Sequence, residues 1–148
     1  MDLPDSLNAT GRRVATALLA ARPEFSSGIR VLDDGHLEAS LSAPNASQAG
    51  ALVVSTAHAG DIWVRFAPPR MWYPVDDEHE LLTIIEQLVA DAVVFVRIED
   101  SLGEWMETTL RPSSIQPTLL PGQTATIRSW SIVRPADAWL QPRSAGRS

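Results

Sequence analysis

The chain has no cysteine and no lysine among its 148 residues, and it holds only three histidines and a single tyrosine. The missing cysteine removes disulfides, thiolate metal centres and cysteine nucleophiles from the possible chemistries. Three histidines limit the catalytic constellations that can be built. No apolar run approaches the roughly 20 residues needed to cross a bilayer as a helix. The start, MDLPDSLNAT, has neither the basic opening nor the apolar core of a secretory signal. Cytoplasmic residence without a membrane partner is the resulting expectation. A basic stripe is missing too. With a formal net charge of −6 and a pI near 4.9, phosphate contacts would be opposed rather than favoured, which argues against nucleic acid.

What is present is an apolar fraction of 45% with 20% charged residues. That is the balance of a globular chain of one domain, long enough to bury a core. All twelve basic residues are arginine, so every cation can bind a carboxylate in bidentate fashion. With the abundance of alanine, valine and aspartate, this usage suggests a GC-rich, bacterial coding sequence. The acidic balance would steer a basic protein partner toward the chain.

Apolar spacing predicts a helix over residues 6–21, with Val14, Leu18 and Ala21 on one face, weakened early by Gly11 and ended by Pro23. A hairpin follows over residues 28–42, turning at Asp33-Asp34-Gly35. A second pairs ALVVSTA with DIWVRFA around His58-Ala59-Gly60. Asp77 and Glu80 form an acidic capping box that opens a second helix, whose stripe of Leu81, Leu82, Ile84, Ile85, Leu88 and Val89 runs to Ala90. AVVFVRI (92–98) reads as an interior strand. EWMETTLR and TATIRSWSIV read as alternating strands separated by a proline-punctuated loop. The sum is an α+β domain over residues 1–134. Its mainly antiparallel sheet of six or seven strands carries two helices on one face, and residues 135–148 form a tail.

The segment DIWVRFAPPRMWYP (61–74) gathers two of the five tryptophans, the tyrosine, a phenylalanine and two arginines. Tryptophan, tyrosine and arginine dominate recognition surfaces. Strand alternation puts Trp63 and Arg65 on one side of their strand. If the aliphatic sides face the helices, the opposite face displays Trp63, Trp105 and Trp130 with Arg65, Arg111, Arg128 and Glu107. The competing reading of that face is cross-strand stacking that only stabilises the sheet, or burial by loops or a homodimer partner. Arg70, Met71, Trp72 and Tyr73, bounded by prolines, read as a surface loop with an anchoring role. The binding residues expected are therefore Trp63, Arg65, Arg70, Met71, Trp72, Tyr73, Trp105, Arg128 and Trp130.

Catalytic patterns are sparse. Asp76 with His79 and Glu80 has a spacing that suits a divalent metal, but helix capping explains the same carboxylates. Ser55, His58 and Asp61 straddle a tight turn, where a triad rarely converges. No catalytic residue, metal or cofactor is assigned. The combination of size, acidity, lack of cysteine and the run GDIWVRFAPP before an acidic-capped helix resembles bacterial immunity proteins that neutralise polymorphic toxins. The helix–strands–helix–strands order is also similar to the type III secretion chaperone fold, from which this chain departs by a fourth early strand and the lack of a final helix. The first resemblance implies a non-catalytic inhibitor of a basic toxin or effector domain. The second implies a dimer holding an extended effector segment. A small hydrolase or metal-dependent enzyme using His58 or His79 is the remaining alternative.

Overall fold

In the computed structural model, which describes residues 3–42, 51–58, 61–67, 71–112, 118–128, 130 and 133–135, helix α1 spans Ala9–Ala21. It starts three residues later than the apolar spacing predicts because Asn8 is its N-cap, its side chain accepting from the Gly11 N–H at 2.8 Å. Asn8 also ties the helix to the first hairpin: its N–H donates to the Gly35 carbonyl at 2.9 Å and its amide to the Asp34 carbonyl at 3.1 Å. This contact changes the reading of Gly11. A Cβ there would lie 3.1 Å from the Gly35 carbonyl oxygen, so a missing side chain lets α1 rest on the turn.

The first hairpin forms as expected, with β1 (Ile29–Val31), a 3-10 turn over Asp33–Gly35 and β2 (Leu37–Ser42). Asp34 and Gly35 both take positive φ, 60° and 77°, the conformation an Asp-Gly turn favours. The second hairpin pairs β3 (Ala51–His58) with β4 (Asp61–Ala67), with an irregularity between Ser55 and His58. There the fully buried Thr56 accepts from the Leu37 N–H at 2.9 Å, which satisfies a donor that would otherwise be stranded.

Helix α2 (Glu78–Val89) opens as its sequence dictates, Asp77 accepting from the Glu80 N–H at 2.8 Å. Its end uses no glycine. Asp91 takes φ 57°, and the N–H groups of Asp91 and Ala92 reach back to the Leu88 and Gln87 carbonyls, a Schellman closure. The Asp91 carboxylate then accepts from the Trp130 N–H at 3.1 Å. The two helices lie side by side in the same direction, joined by Arg13–Glu78 (3.1 Å) near their starts and Arg22–Glu86 (2.8 Å) near their ends.

The protein is α+β with antiparallel pairing throughout the described strands, but the strands divide between two sheets rather than sharing one. The first has the order β1-β2-β3-β4-β5, where β5 is Met71–Val75. The second has the order β7-β6-β8-β9, from Val93–Glu99 (β6), Trp105–Pro112 (β7), Thr124–Arg128 (β8) and Val133–Pro135 (β9). β6 is interior, as its nearly continuous apolar run predicts. The expected single last strand is broken after Arg128, with pairing resuming at Val133. The tail expected from residue 135 lies, beyond Pro135, outside the described residues.

The main core joins the helix stripes (Val14, Leu18, Leu81, Ile85, Leu88) to the inner face of the first sheet (Leu52, Val54, Val64, Phe66). Phe95 from β6 and Trp130 enter the same cluster. A separate cluster of Val94, Val96, Ile98, Ala125 and Ile127, packed by Leu119, lies on the other face of the second sheet. Among the described residues, no helix is long and apolar enough to cross a membrane.

Candidate functional site

The outer face of the first sheet carries the densest group of recognition-type side chains. Residues 71–75, expected as a loop, form the edge strand β5, whose register pairs Arg65 with Trp72, Trp63 with Pro74 and Val64 with Tyr73. An edge strand tolerates Pro74 because one side of it needs no donor. The register decides which aromatics face out. Trp63 and Trp72 meet edge to face with centroids 6.1 Å apart, and the Arg65 guanidinium lies 5.0 Å from the Trp72 ring centroid. Both indoles are half-buried.

Arg65 continues the group inward across the sheet. Its Nη2 is 3.7 Å from Glu38 on β2, and Glu38 in turn binds Arg30 of β1 at 3.0 Å. The Arg65 Nε is buried and has no hydrogen-bond partner among the described residues. The result is a row across the sheet: Arg30, Glu38, Arg65, then Trp72 and Trp63. Glu38 and Arg30 escaped the sequence reading, although the alternation of IRVLDDGHLEAS on either side of the turn puts both on the polar side of the hairpin.

The remaining expected residues separate from this group. Tyr73 points inward and stacks on Phe95, centroids 6.0 Å apart at 29°. Trp130 is buried against Phe66, centroids 6.4 Å apart. Arg128 has no exposed surface and lies 3.9 Å above the Phe66 ring. Burial pushes its guanidinium down to about 10. The expected face that joined Trp63 and Arg65 to Trp130 and Arg128 is thus overturned. The last strand belongs to the second sheet, where Arg128 shares a face with Phe95, its register partner, and that face meets the main core.

Trp105, Glu107 and Arg111 also leave the group, because β7 pairs with β6 in the second sheet. Trp105 is exposed, its indole N–H donating to the Thr108 hydroxyl at 2.9 Å. Arg70 and the side chain of Met71 lie outside the described residues.

The catalytic alternatives gain no geometry. Ser55 Oγ accepts from the Ala57 N–H at 3.2 Å, inside the β3 irregularity. His79 is exposed on the first turn of α2, and the His58 side chain lies outside the described residues. Among the described residues, no group of three or more His, Asp and Glu side chains is arranged to hold a metal ion. No protein-family model matches the chain, and no curated protein or solved structure is significantly similar to it.

Proposed function

We propose that the protein is a non-catalytic binding module whose outer sheet face, centred on Trp63, Arg65 and Trp72, receives a protein partner, and that it acts as an immunity-type inhibitor of a basic toxin or effector domain. The observation that carries this reading is the convergence of two half-buried tryptophans and a guanidinium on one sheet face, already in mutual contact. Rigid aromatic and arginine anchors of this kind supply most of the energy at protein interfaces. Their stacking restricts the side chains before any partner arrives, which lowers the entropy cost of docking. A net charge of −6 supports fast capture of a cationic partner.

The test is titration of the chain against basic toxin or effector domains, taken first from any encoded beside its gene, together with rescue of cells that express such a domain. The wild type is expected to bind and to restore growth. Trp72→Ala is expected to lose about 2 kcal/mol of affinity, the scale of an interface anchor, while keeping its fold by circular dichroism. Equal affinity of the wild type and of a Trp63→Ala/Trp72→Ala double variant would remove this face from the interface. Failure of the wild type to protect the cells would end the inhibitor reading.

A further inference from the structure

The second sheet ends in an apolar surface that the outer face of the first sheet does not include. Among the described residues, the exposed large hydrophobic side chains are Leu102 (83% exposed), Leu120 (66%), Trp105 (57%) and Met106 (50%). They come from two turns and a strand start, and the register brings these together. Glu99, at the end of β6, pairs with Trp105 on one side and Thr124 on the other. The turn after β6 and the turn before β8 therefore lie at the same end of the sheet.

Direct contacts fix the two turns against each other. Gln123 donates from its amide to Met106 Sδ at 3.4 Å and accepts from the Leu120 N–H at 2.9 Å. A Cβ on Gly122 would sit 3.4 Å from the Ser101 Cβ, so the turns are in van der Waals reach. Within the first turn, Asp100 Oδ1 accepts from the N–H groups of Leu102 and Glu104 at 2.8 and 3.0 Å. Leu102 is held at the tip by this backbone bonding and is 83% exposed. A side chain of that size kept in water on an ordered turn calls for an occupant.

The charge around this end says what the occupant is. Residues 97–107 and 118–124 carry four carboxylates, Glu99, Asp100, Glu104 and Glu107, against one guanidinium, Arg97. Arg97 is bound to Glu99 at 3.3 Å. Glu104 and Glu107 are exposed beside Trp105 and Met106. A second copy of the chain would bring the same carboxylates against these, and an anionic lipid surface would be repelled.

We infer that this end of the second sheet is a docking site for a cationic, apolar protein segment, its aliphatic side chains set among Leu102, Trp105, Met106 and Leu120 and its cations facing Glu104 and Glu107. Apolar burial supplies affinity, and the carboxylate rim sets the sign of charge accepted and speeds encounter. The proposal is independent of the Trp63–Trp72 face, and its test uses none of that face's residues.

The probe is a fluorescently labelled synthetic peptide of alternating Arg and Leu, followed by anisotropy against the full chain. The Leu102→Ser/Leu120→Ser variant changes only exposed positions, so its fold, checked by circular dichroism, should persist. Its affinity should fall by about tenfold or more, corresponding to about 1.4 kcal/mol. Glu104→Gln/Glu107→Gln should weaken binding about fivefold and flatten its salt dependence. Equal binding of a peptide in which Glu replaces Arg would overturn the proposal, as would unchanged affinity in the leucine variant. It also fails if that variant abolishes self-association in sedimentation, or adhesion to phosphatidylcholine vesicles, while the cationic peptide never bound the wild type.

Discussion

Arg65 and Phe66 are neighbours on one strand, and each is half of an arginine–aromatic stack on opposite sides of the same sheet. Outside, Arg65 lies 5.0 Å from the Trp72 ring, partly exposed and ion-paired to Glu38. Inside, Phe66 lies under Arg128 at 3.9 Å, with Phe95 and Trp130 packed against it. The chemistry is the same and the surroundings differ. A guanidinium over a ring is worth about 0.5–1 kcal/mol where water competes and about 2 kcal/mol or more where it does not. The outer stack keeps its side chains available to a partner. The inner stack joins the second sheet to the first, beside the contact of β5 with β6 and β7. An arginine above an aromatic ring is thus evidence of recognition only once its side of the sheet is known.

The largest expected effect follows from the inner stack. Arg128→Ala should destabilise the protein by about 3 kcal/mol, the sum of lost ring contact and the cavity left by a long, fully buried side chain. Arg128→Lys should recover less than half of this, because an ammonium cannot lie flat on the Phe66 ring. Urea unfolding measures both. The pH dependence has a definite sign. Burial lowers the folded-state pKa to about 10, well below the ordinary arginine value, so the folded protein holds this proton less tightly than the unfolded chain. Its contribution to stability is flat at lower pH, where both states are protonated, and rises only as pH climbs through that window. The difference between wild type and Arg128→Ala should therefore stay constant between about pH 6 and pH 9. A cost under about 1 kcal/mol would place Arg128 with the outer stack and break the comparison.

How much of this was legible can be read from particular residues. The Asp77 cap, the Asp33–Gly35 turn and the interior strand β6 follow from local rules, each needing only a few adjacent residues. The outward pair Trp63 and Arg65 follows from period-two alternation. Alternation also groups Arg128 with Trp130, but it cannot say which side of a strand faces the core. Assigning the polar side to solvent fails here because the strand belongs to a second sheet, where Arg128 on one side of β8 and Ala125 and Ile127 on the other are all buried. Trp72 and Tyr73 read as loop because prolines surround them, whereas β5 tolerates Pro74 as an edge strand. Leu102 and Leu120 gave no signal as isolated leucines in turns, since their adjacency depends on the order β7-β6-β8.

The outer stack should cost less to remove. Trp72→Ala is expected to destabilise by about 1 kcal/mol, combining a cross-strand pair with a partly hydrated cation–π contact. The same urea titration sharpens the comparison, because Trp72 is the larger ring and would rank first if ring size alone decided. A loss equal to that of Arg128→Ala would mean the outer face is packed as tightly as the core, and its availability to a partner would be in doubt.

A third arginine, paired at the surface with two largely exposed carboxylates, sets the lower end of the scale. Arg22 binds Glu86 through two hydrogen bonds of 2.8 and 2.9 Å, with Glu24 at 3.5 Å. Those bonds hold the Glu86 carboxyl below its usual 4.5. A carboxylate with a depressed folded pKa stabilises fully above its unfolded value, and the contribution is lost as pH falls through 4.5 and below. Geometry this good would suggest a strong pair, but solvent screening and side-chain entropy reduce exposed pairs to about 0.5 kcal/mol or less. A double-mutant cycle with Arg22→Met and Glu86→Gln should return a coupling of that size at neutral pH. The coupling should vanish in acid and shrink with salt. A coupling above about 1.5 kcal/mol, or one insensitive to pH, would mean that bidentate geometry outweighs depth. The ordering of the three arginines would then rest on hydrogen bonding instead of burial.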